Sequence, residues 1–342
     1  MKKKLLIIGG AGFIGHNIAL KLKNDYEVFI IDSLGVNNYI SLINNTDNLP
    51  YPKFSKAVLN DRVRLFEKNN LNIIIQDARD YHGLSIKINE IKPNIIIHLA
   101  AVSHANRSNK DPYSTFDHSL RTLENALDSA RSQAQLEHFI YFSSSMVYGN
   151  FKQDFVDEET VCNPIDIYGA LKFSCEKIVI AYNQVFDVPY TIIRPSALYG
   201  ERCISRRVGQ IFIENALFSK DIVIDGDGLE KLDFTYIQDL VSGVKAIIEN
   251  EKSKNQIFNI TYGEGRKIID LIEILKKHFG KINLIKKERS KLIPKRGRLS
   301  GDKARELIGY KPAWNLDKGY NEYIEWYIDF FERNKKDIES WE

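Results

Sequence analysis

The chain has 342 residues and a mass of 39.4 kDa, with 44% hydrophobic and 27% charged residues and nine prolines. These figures exclude a disordered or fibrous protein and a small domain that needs disulfides or metal to fold. Its 48 basic and 45 acidic side chains leave a formal charge of +3, too nearly balanced to point to nucleic acid. The three cysteines (Cys162, Cys175, Cys203) form no CxxC pair, which excludes a disulfide framework and a thiolate zinc site and fits a reducing, cytoplasmic setting.

In chain order, Met1-Lys2-Lys3-Lys4 before Leu5 to Ile8 looks superficially like a secretory leader. Gly9, Gly10, Gly12 and Gly15 cut the apolar run, which reads instead as a buried first strand. No run reaches the roughly 18 apolar residues of a membrane span. Ile14 to Lys23 has helical spacing and Tyr26 to Ile31 is strand-like. Ile73 to Ile75, Asn94 to Leu99, Phe139 to Ser143 and Tyr190 to Ile193 are further strands, with helices over 84–91, 113–133 and 168–186 between them. Near-continuous Ile/Val/Leu strands separated by helices predict an α/β fold, a doubly wound parallel sheet of the Rossmann type, whose ligands bind at the carboxyl ends of the strands.

One connection is unusually long. Between Asp32 and Ile73, past Asn44-Asn45, Pro50 and Pro52, a helix is expected from Ser55 to Lys68, and a loop of that length carries function or is mobile. Beyond Arg194, helices over 208–219, 239–250, 266–279, 303–308 and 316–332 surround strands at Ile222 to Ile224 and Ile257 to Ile260. This divides the chain into a nucleotide-binding domain, 1–195, to which 233–261 returns, and a smaller substrate domain, 196–342. The basic stretch Lys286, Lys287, Arg289, Lys291, Lys295, Arg296 and Arg298 reads as a solvated loop. Tyr320, Tyr323, Trp326, Tyr327, Phe330 and Phe331 read as the packing face of a last helix.

Gly9-Gly10-Ala11-Gly12-Phe13-Ile14-Gly15 follows the first strand and opens the first helix, where glycines let the backbone approach a pyrophosphate at a helix N-terminus. Asp32, ending the second strand, is placed to accept both hydroxyls of an adenosine ribose, and neither Ser33 nor Leu34 is basic, which favours NAD over NADP. Asp77 is placed to contact the adenine amino group. Tyr168 and Lys172 are four apart, on one helix face, so an ammonium can help bring a phenol into range as a base. Ser143-Ser144-Ser145 ends a strand where a hydroxyl can meet the same substrate oxygen.

With these residues in place the chain resembles, over nearly its whole length, the extended short-chain dehydrogenases/reductases of the NAD-dependent nucleotide-sugar epimerase/dehydratase family. The resemblance lies in GGAGFIG, Asp32, Asp77-Ala78-Arg79-Asp80, His98-Leu99-Ala100-Ala101, Ser144 with Val147-Tyr148-Gly149, Tyr168 with Lys172, Arg194 with Tyr199-Gly200, and Asp233-Phe234-Thr235-Tyr236 with Asp239. It implies that Tyr168 takes the proton of a sugar hydroxyl, that Ser144 hydrogen-bonds that oxygen, and that Lys172 binds the nicotinamide ribose and tunes Tyr168. It also implies that Gly9, Gly12, Phe13, Ile14, Gly15, Asp32, Ser33, Asp77, Ala78, Leu99, Ala100, Ala101, Ser103, His118 and Pro195 line the cofactor with Tyr168 and Lys172. The implied partner is a nucleotide-diphosphate sugar. A homodimer is implied through a four-helix bundle built from 113–133 and 168–186.

Departures from the family pattern sort the activities. The 4,6-dehydratases carry Thr-Asp-Glu where this chain has Ser144-Ser145-Met146, and neither a serine nor a thioether supplies the acid and base that elimination needs. Uronate decarboxylases also keep the glutamate at Met146. That leaves an epimerase, expected to act at C4, with a net dehydrogenase or reductase and a non-catalytic NAD-binding protein as rivals. On the substrate side Ala197 replaces an asparagine, and Leu232 an arginine that holds the diphosphate. His118 stands at the usual cofactor-side asparagine. Losing two diphosphate contacts would cost on the order of 1.5–3 kcal/mol each, so Arg202, Arg206 and Arg207 are candidate replacements, with Ser145, Met146 and Ala197 at the sugar. The same arginines would suit a sugar carboxylate. His98, His104 and His118 have no ligand spacing, and no metal is expected.

Overall fold

The computed structural model describes residues 2–44, 49–103, 105–289 and 293–339, without the side chains of 105, 106 and 339. His104, Lys291 and Asn45 of the Asn44-Asn45 pair therefore lie outside the described residues. Seven strands form one parallel sheet: β1 (Lys4–Ile8), β2 (Glu27–Asp32), β3 (Ile73–Ile75), β4 (Ile95–His98), β5 (His138–Phe142), β6 (Tyr190–Arg194) and β7 (Gln256–Asn259). Their spatial order is β7-β6-β5-β4-β1-β2-β3. The chain reverses direction across the sheet between β1 and β4, the crevice where such folds bind ligands.

Alternation along the strands sends consecutive residues to opposite faces. Leu5, Ile7, Ile30, Ile97, Ile140 and Ile193 join one core, and Leu6, Ile8, Ile31, Ile96, Tyr141 and Ile192 the other. Both faces are covered, which is why the strands read as unbroken apolar runs. The second core is closed by helices Tyr81–Ile91, Thr122–Ala130 and Ile167–Phe186 through Leu84, Leu123, Leu171 and their neighbours. The first continues into the C-terminal part, where Tyr320, Tyr323, Tyr327 and Phe330 of helix Leu316–Glu339 are buried.

The long connection after Asp32 is built of helices Tyr39–Ile43 and Pro52–Lys68. Phe54 of the longer one stacks on Tyr327 at 5.4 Å and meets Phe330 edge-on at 5.5 Å, so it is anchored to the final helix. The single helix expected over 113–133 is instead Pro112–Phe116, a π-helical turn Asp117–Arg121, and Thr122–Ala130. Thr122 Oγ1 donates to the His118 and Ala100 carbonyls, occupying acceptors that a regular helix leaves to the backbone. Short paired strands (Phe155–Val156 with Arg298–Leu299, Leu198–Tyr199 with Thr235–Tyr236, Lys231–Asp233 with Gly265–Lys267) carry too few residues for a periodic signal. Among the described residues no helix is long and apolar enough to cross a membrane.

Candidate active site

At the carboxyl ends of β1, β2 and β4 the glycine loop closes one end of a cleft. Gly9 N and Gly10 N both donate to Ile31 O, at 2.8 and 3.3 Å, which folds the loop back against β2. Gly9 has φ +82°, and a Cβ there would lie 2.7 Å from Ala100 N. A Cβ on Gly15 would lie 2.5 Å from Gly10 Cα, so this glycine brings helix Phe13–Leu22 against the loop. At Gly12 a Cβ would meet only Gly9 O, at 3.4 Å, and the backbone is open toward the cleft. Among the described residues no side chain caps this helix N-terminus, which leaves its N–H groups for a ligand anion.

The Asp32 carboxylate stands at the far wall, held by Ala11 N (2.9 Å) and Leu34 N (2.7 Å). Burial pushes its pKa up against those two donors and the nearby Arg62 charge. Asp77 is clasped by Arg79, whose guanidinium also pairs with Asp117 at 2.8 Å. Burial opposes ionisation of Asp77, but the Arg79 bonds prevail and its pKa lies below the ordinary value. His118 Nδ1 faces Ser114 O at 2.9 Å, and Ser103 Oγ accepts from Asn37. Every residue assigned to the cofactor from Gly9 to His118 lines this cleft. Val36, Asn37, Arg62, Gln76 and Thr122 line it too, and the sequence reading did not find them. Arg62 is 2% exposed and donates through Nε to Arg202 O and through Nη1 to Ala11 O, joining the long connection to the glycine loop.

Ile14, Leu99, Ala101, Ser103 and Arg207 also line a second cavity of about 630 Å³, which therefore opens from the cleft. Ser144, Ser145, Met146, Tyr168, Lys172, Pro195 and Ala197 line it as well. Ser144 caps the turn Ser145–Tyr148, with Met146 N donating to its Oγ at 3.2 Å. Asp166 caps helix Ile167–Phe186 through Gly169 N at 2.7 Å, and the first turn of that helix carries Tyr168, whose phenol the Ser144 side chain helps draw toward phenolate. Behind the serines lies a buried network. Ser143 Oγ donates to Glu176, Glu176 forms a two-pronged pair with Arg194 at 2.7 and 2.9 Å, and Arg194 Nη1 donates to Tyr148, whose hydroxyl donates to Asn259.

Lys172 Nζ donates to Phe142 O at 2.7 Å and lies over the Tyr141 ring, and burial lowers its pKa to about 8. Burial raises the Tyr168 phenol, and the first influence pulling it back toward phenolate is the Arg207 charge, ahead of the Ser144 hydrogen bond. Arg207 Nε and Arg206 Nη1 are buried without partners among the described residues, in the wall of the larger cavity. Arg202 departs from its expected place. Its Nε donates to Asp61 at 2.6 Å, its guanidinium lies over Trp326, and it lines neither cavity. Leu232 is buried in the cavity wall, and Lys231 points into a groove outside it. His98 is buried beside Phe139 and Tyr141, and burial lowers its pKa to about 3.

A nucleotide cleft at the crossover of a doubly wound sheet, opening onto a Ser-Tyr-Lys wall, is the architecture of a dinucleotide-dependent enzyme acting on a second ligand. Residues 5–261 match the model of the NAD dependent epimerase/dehydratase family, and the chain belongs to that family. Its cofactor is NAD, for which the open backbone at Gly12, the uncapped helix and Asp32 are suited. The chain is 28% identical to a UDP-glucuronic acid 4-epimerase from Bacillus cereus solved with UDP-glucuronic acid and NAD, with a TM-score of 0.83 over 95% of this chain and 99% of that one. It is 27% identical to UDP-glucuronate 4-epimerase 4 of Arabidopsis thaliana, over 97% of this chain and 77% of that protein. It is 26% identical to the human dTDP-D-glucose 4,6-dehydratase, over 99% and 93%.

Proposed function

We propose that this protein is a nucleotide-sugar epimerase that inverts C4 through a transient 4-keto sugar. The observation that carries the reading is that Ser144, Tyr168 and Lys172 line one cavity, and that this cavity shares Ile14, Leu99, Ala101, Ser103 and Arg207 with the cofactor cleft. Tyr168 as phenolate takes the proton of the C4 hydroxyl, and the Ser144 hydroxyl donates to the same oxygen as it becomes a carbonyl. NAD, held by the glycine loop and Asp32, would supply the hydride acceptor and donor that the reversible oxidation at C4 needs. Tyr168 then gives its proton back to the carbonyl oxygen, so no net oxidation remains.

Lys172 orients the cofactor end of the site. Arg207 favours the phenolate and, with Arg206, takes the substrate diphosphate in place of the arginine that Leu232 replaces. About 630 Å³ gives the ketosugar room to turn over. Ser145 and Met146 beside Tyr168 offer no acid–base pair for elimination, which argues against a dehydratase despite the likeness to one. We further propose residues 1–195, joined by 233–261, as the cofactor domain and 196–342 as the substrate domain. The exposed Tyr113, Phe116, Val185 and Phe186 support a homodimer through the helices around them.

The test is incubation with UDP-, GDP-, CDP- and dTDP-sugars without added cofactor. An isomer of unchanged mass is expected. Product that forms only with added NAD and consumes it stoichiometrically would instead identify a dehydrogenase.

A further inference from the structure

Residues 202–207 include Arg206 and Arg207 of the cavity wall, yet this segment forms no helix or strand, and Arg202 and Arg206 both have left-handed backbone. Helix Val208–Leu217 takes up the chain directly after Arg207, and Arg206 N donates to Gln210 Oε1 at 2.8 Å, which fixes the far end. The near end is held from outside, by two consecutive residues of the long connection. Asp61 accepts from Arg202 Nε at 2.6 Å, and Arg62 donates through Nε to Arg202 O at 3.0 Å and through Nη2 to the same oxygen.

The other arm of the Arg62 guanidinium reaches the glycine loop. Its Nη1 donates to Ala11 O at 3.4 Å, an oxygen that also accepts from Asn38 Nδ2 at 3.3 Å, while Ala11 N donates to Asp32. One planar fork thus bridges two segments of the backbone that lie far apart in sequence, which a lysine ammonium on a flexible stem does less well. Among the described residues the hydrogen bonds of Arg62 all go to carbonyls, and burial lowers its pKa. A buried cation so bonded costs free energy that an apolar side chain of the same volume would avoid, so packing alone does not account for it.

Beyond the clasp, Ser205 and Arg207 line the cofactor cleft, and Arg207 lines the substrate cavity together with Tyr168. The charges acting on the Tyr168 phenol are Arg207, which favours phenolate, and Asp166, which opposes it; Arg62 is not among them. Any effect of Arg62 on Tyr168 must therefore pass through the placement of Arg207.

We propose that Arg62 is a positioning residue, which carries the placement of the glycine loop to Arg207 and through Arg207 to Tyr168. The proposal rests on the epimerase reading for the roles of Tyr168 and Arg207, but its test needs no turnover.

The tyrosinate absorbance of the full chain saturated with NAD is followed against pH, and the Tyr168→Phe counterpart of each variant is subtracted to leave the Tyr168 titration. Arg62→Gln should raise the Tyr168 midpoint, as Arg207→Gln does, and the double variant should sit no higher than Arg207→Gln alone. Arg62→Lys should fall between wild type and Arg62→Gln. Asp61→Asn cuts the other half of the clasp at a less buried site and should raise the midpoint by less; it decides the question if Arg62→Gln does not fold. An unmoved midpoint in Arg62→Gln or in Arg207→Gln overturns the proposal, whatever the loss of Tm, and so do shifts that add in the double variant. A folded Arg62→Gln chain that binds no NAD overturns it as well, because Arg62 would then serve the cofactor itself. Midpoints that move as expected while no nucleotide sugar is isomerised would leave the positioning role standing and remove the epimerase reading instead.

Discussion

The cofactor cleft and the substrate wall share five lining residues but follow opposite rules. In the cleft the side chains are engaged within the chain, Asp32 by Ala11 N and Leu34 N, Asp77 by Arg79 and Ser103 by Asn37, and backbone N–H groups of the uncapped helix are left for a ligand. In the wall, Arg206 Nη1, Arg207 Nε and Arg296 Nε are buried with nothing to donate to among the described residues. Each such donor costs about 1–3 kcal/mol until an acceptor arrives. The cleft is therefore shaped before its ligand binds, whereas the wall is completed by its ligand.

The largest effect is expected at the tyrosine of the wall. Tyr168→Phe should lower turnover by about 10²–10⁴-fold, while extracted protein still yields bound NAD. Near-normal isomer formation would break the division of labour by showing that the chemistry lies elsewhere. Next comes the network that holds the serines. Glu176→Gln strands Arg194, which is 3% exposed, and should cost about 3–5 kcal/mol in urea unfolding. A variant of unchanged stability would show that Ser143 and Ser144 do not depend on that pair.

Beneath the wall, Glu214 accepts from Gln210 and Tyr327, and burial pushes its pKa up to about 7. A carboxyl whose folded pKa is raised contributes stability that is fully present below about pH 4.5 and lost as pH rises through 7. Glu214→Gln should therefore flatten the fall in Tm between pH 5 and 8 and gain about 1–3 kcal/mol at pH 8. A Tm curve parallel to wild type would exclude this. The smallest expected effect sharpens the comparison most. Removing the Arg207 charge removes the first influence that lowers the Tyr168 phenol, so Arg207→Gln should move the acid limb of kcat/KM to higher pH. A higher KM with an unmoved limb would make Arg207 a ligand only.

The same contrast explains what could be read from the sequence. Cofactor residues sit in short motifs at strand ends, where glycine spacing and one carboxylate state their geometry directly. Arg62 and Asn37 were illegible because they arrive from the long connection, whose return path no local pattern encodes. The wall is assembled from segments around 197–234, 268–271 and 293–296, brought together only by tertiary packing. Spacing could not decide which of Arg202, Arg206 and Arg207 faces inward. Arg202 and Arg206 have φ of 63° and 52°, and such left-handed residues reverse the direction of successive side chains. The tyrosine–lysine spacing placed both groups on one helix face but could not show Lys172 folding back to the Phe142 carbonyl.

Strand β7, Gln256–Asn259, completes the edge of the sheet beside β6, and Leu316–Glu339 later covers Phe54. A ribosome releases this polypeptide from its amino end. During synthesis the Tyr148–Asn259 bond must wait until residue 259 has been made, and the Phe54 ring of Pro52–Lys68 waits for Phe218 and then for Tyr327 and Phe330. The nascent protein thus carries an adhesive aromatic surface until those distant partners have been made, which makes the chaperones it meets meanwhile part of how this fold is reached.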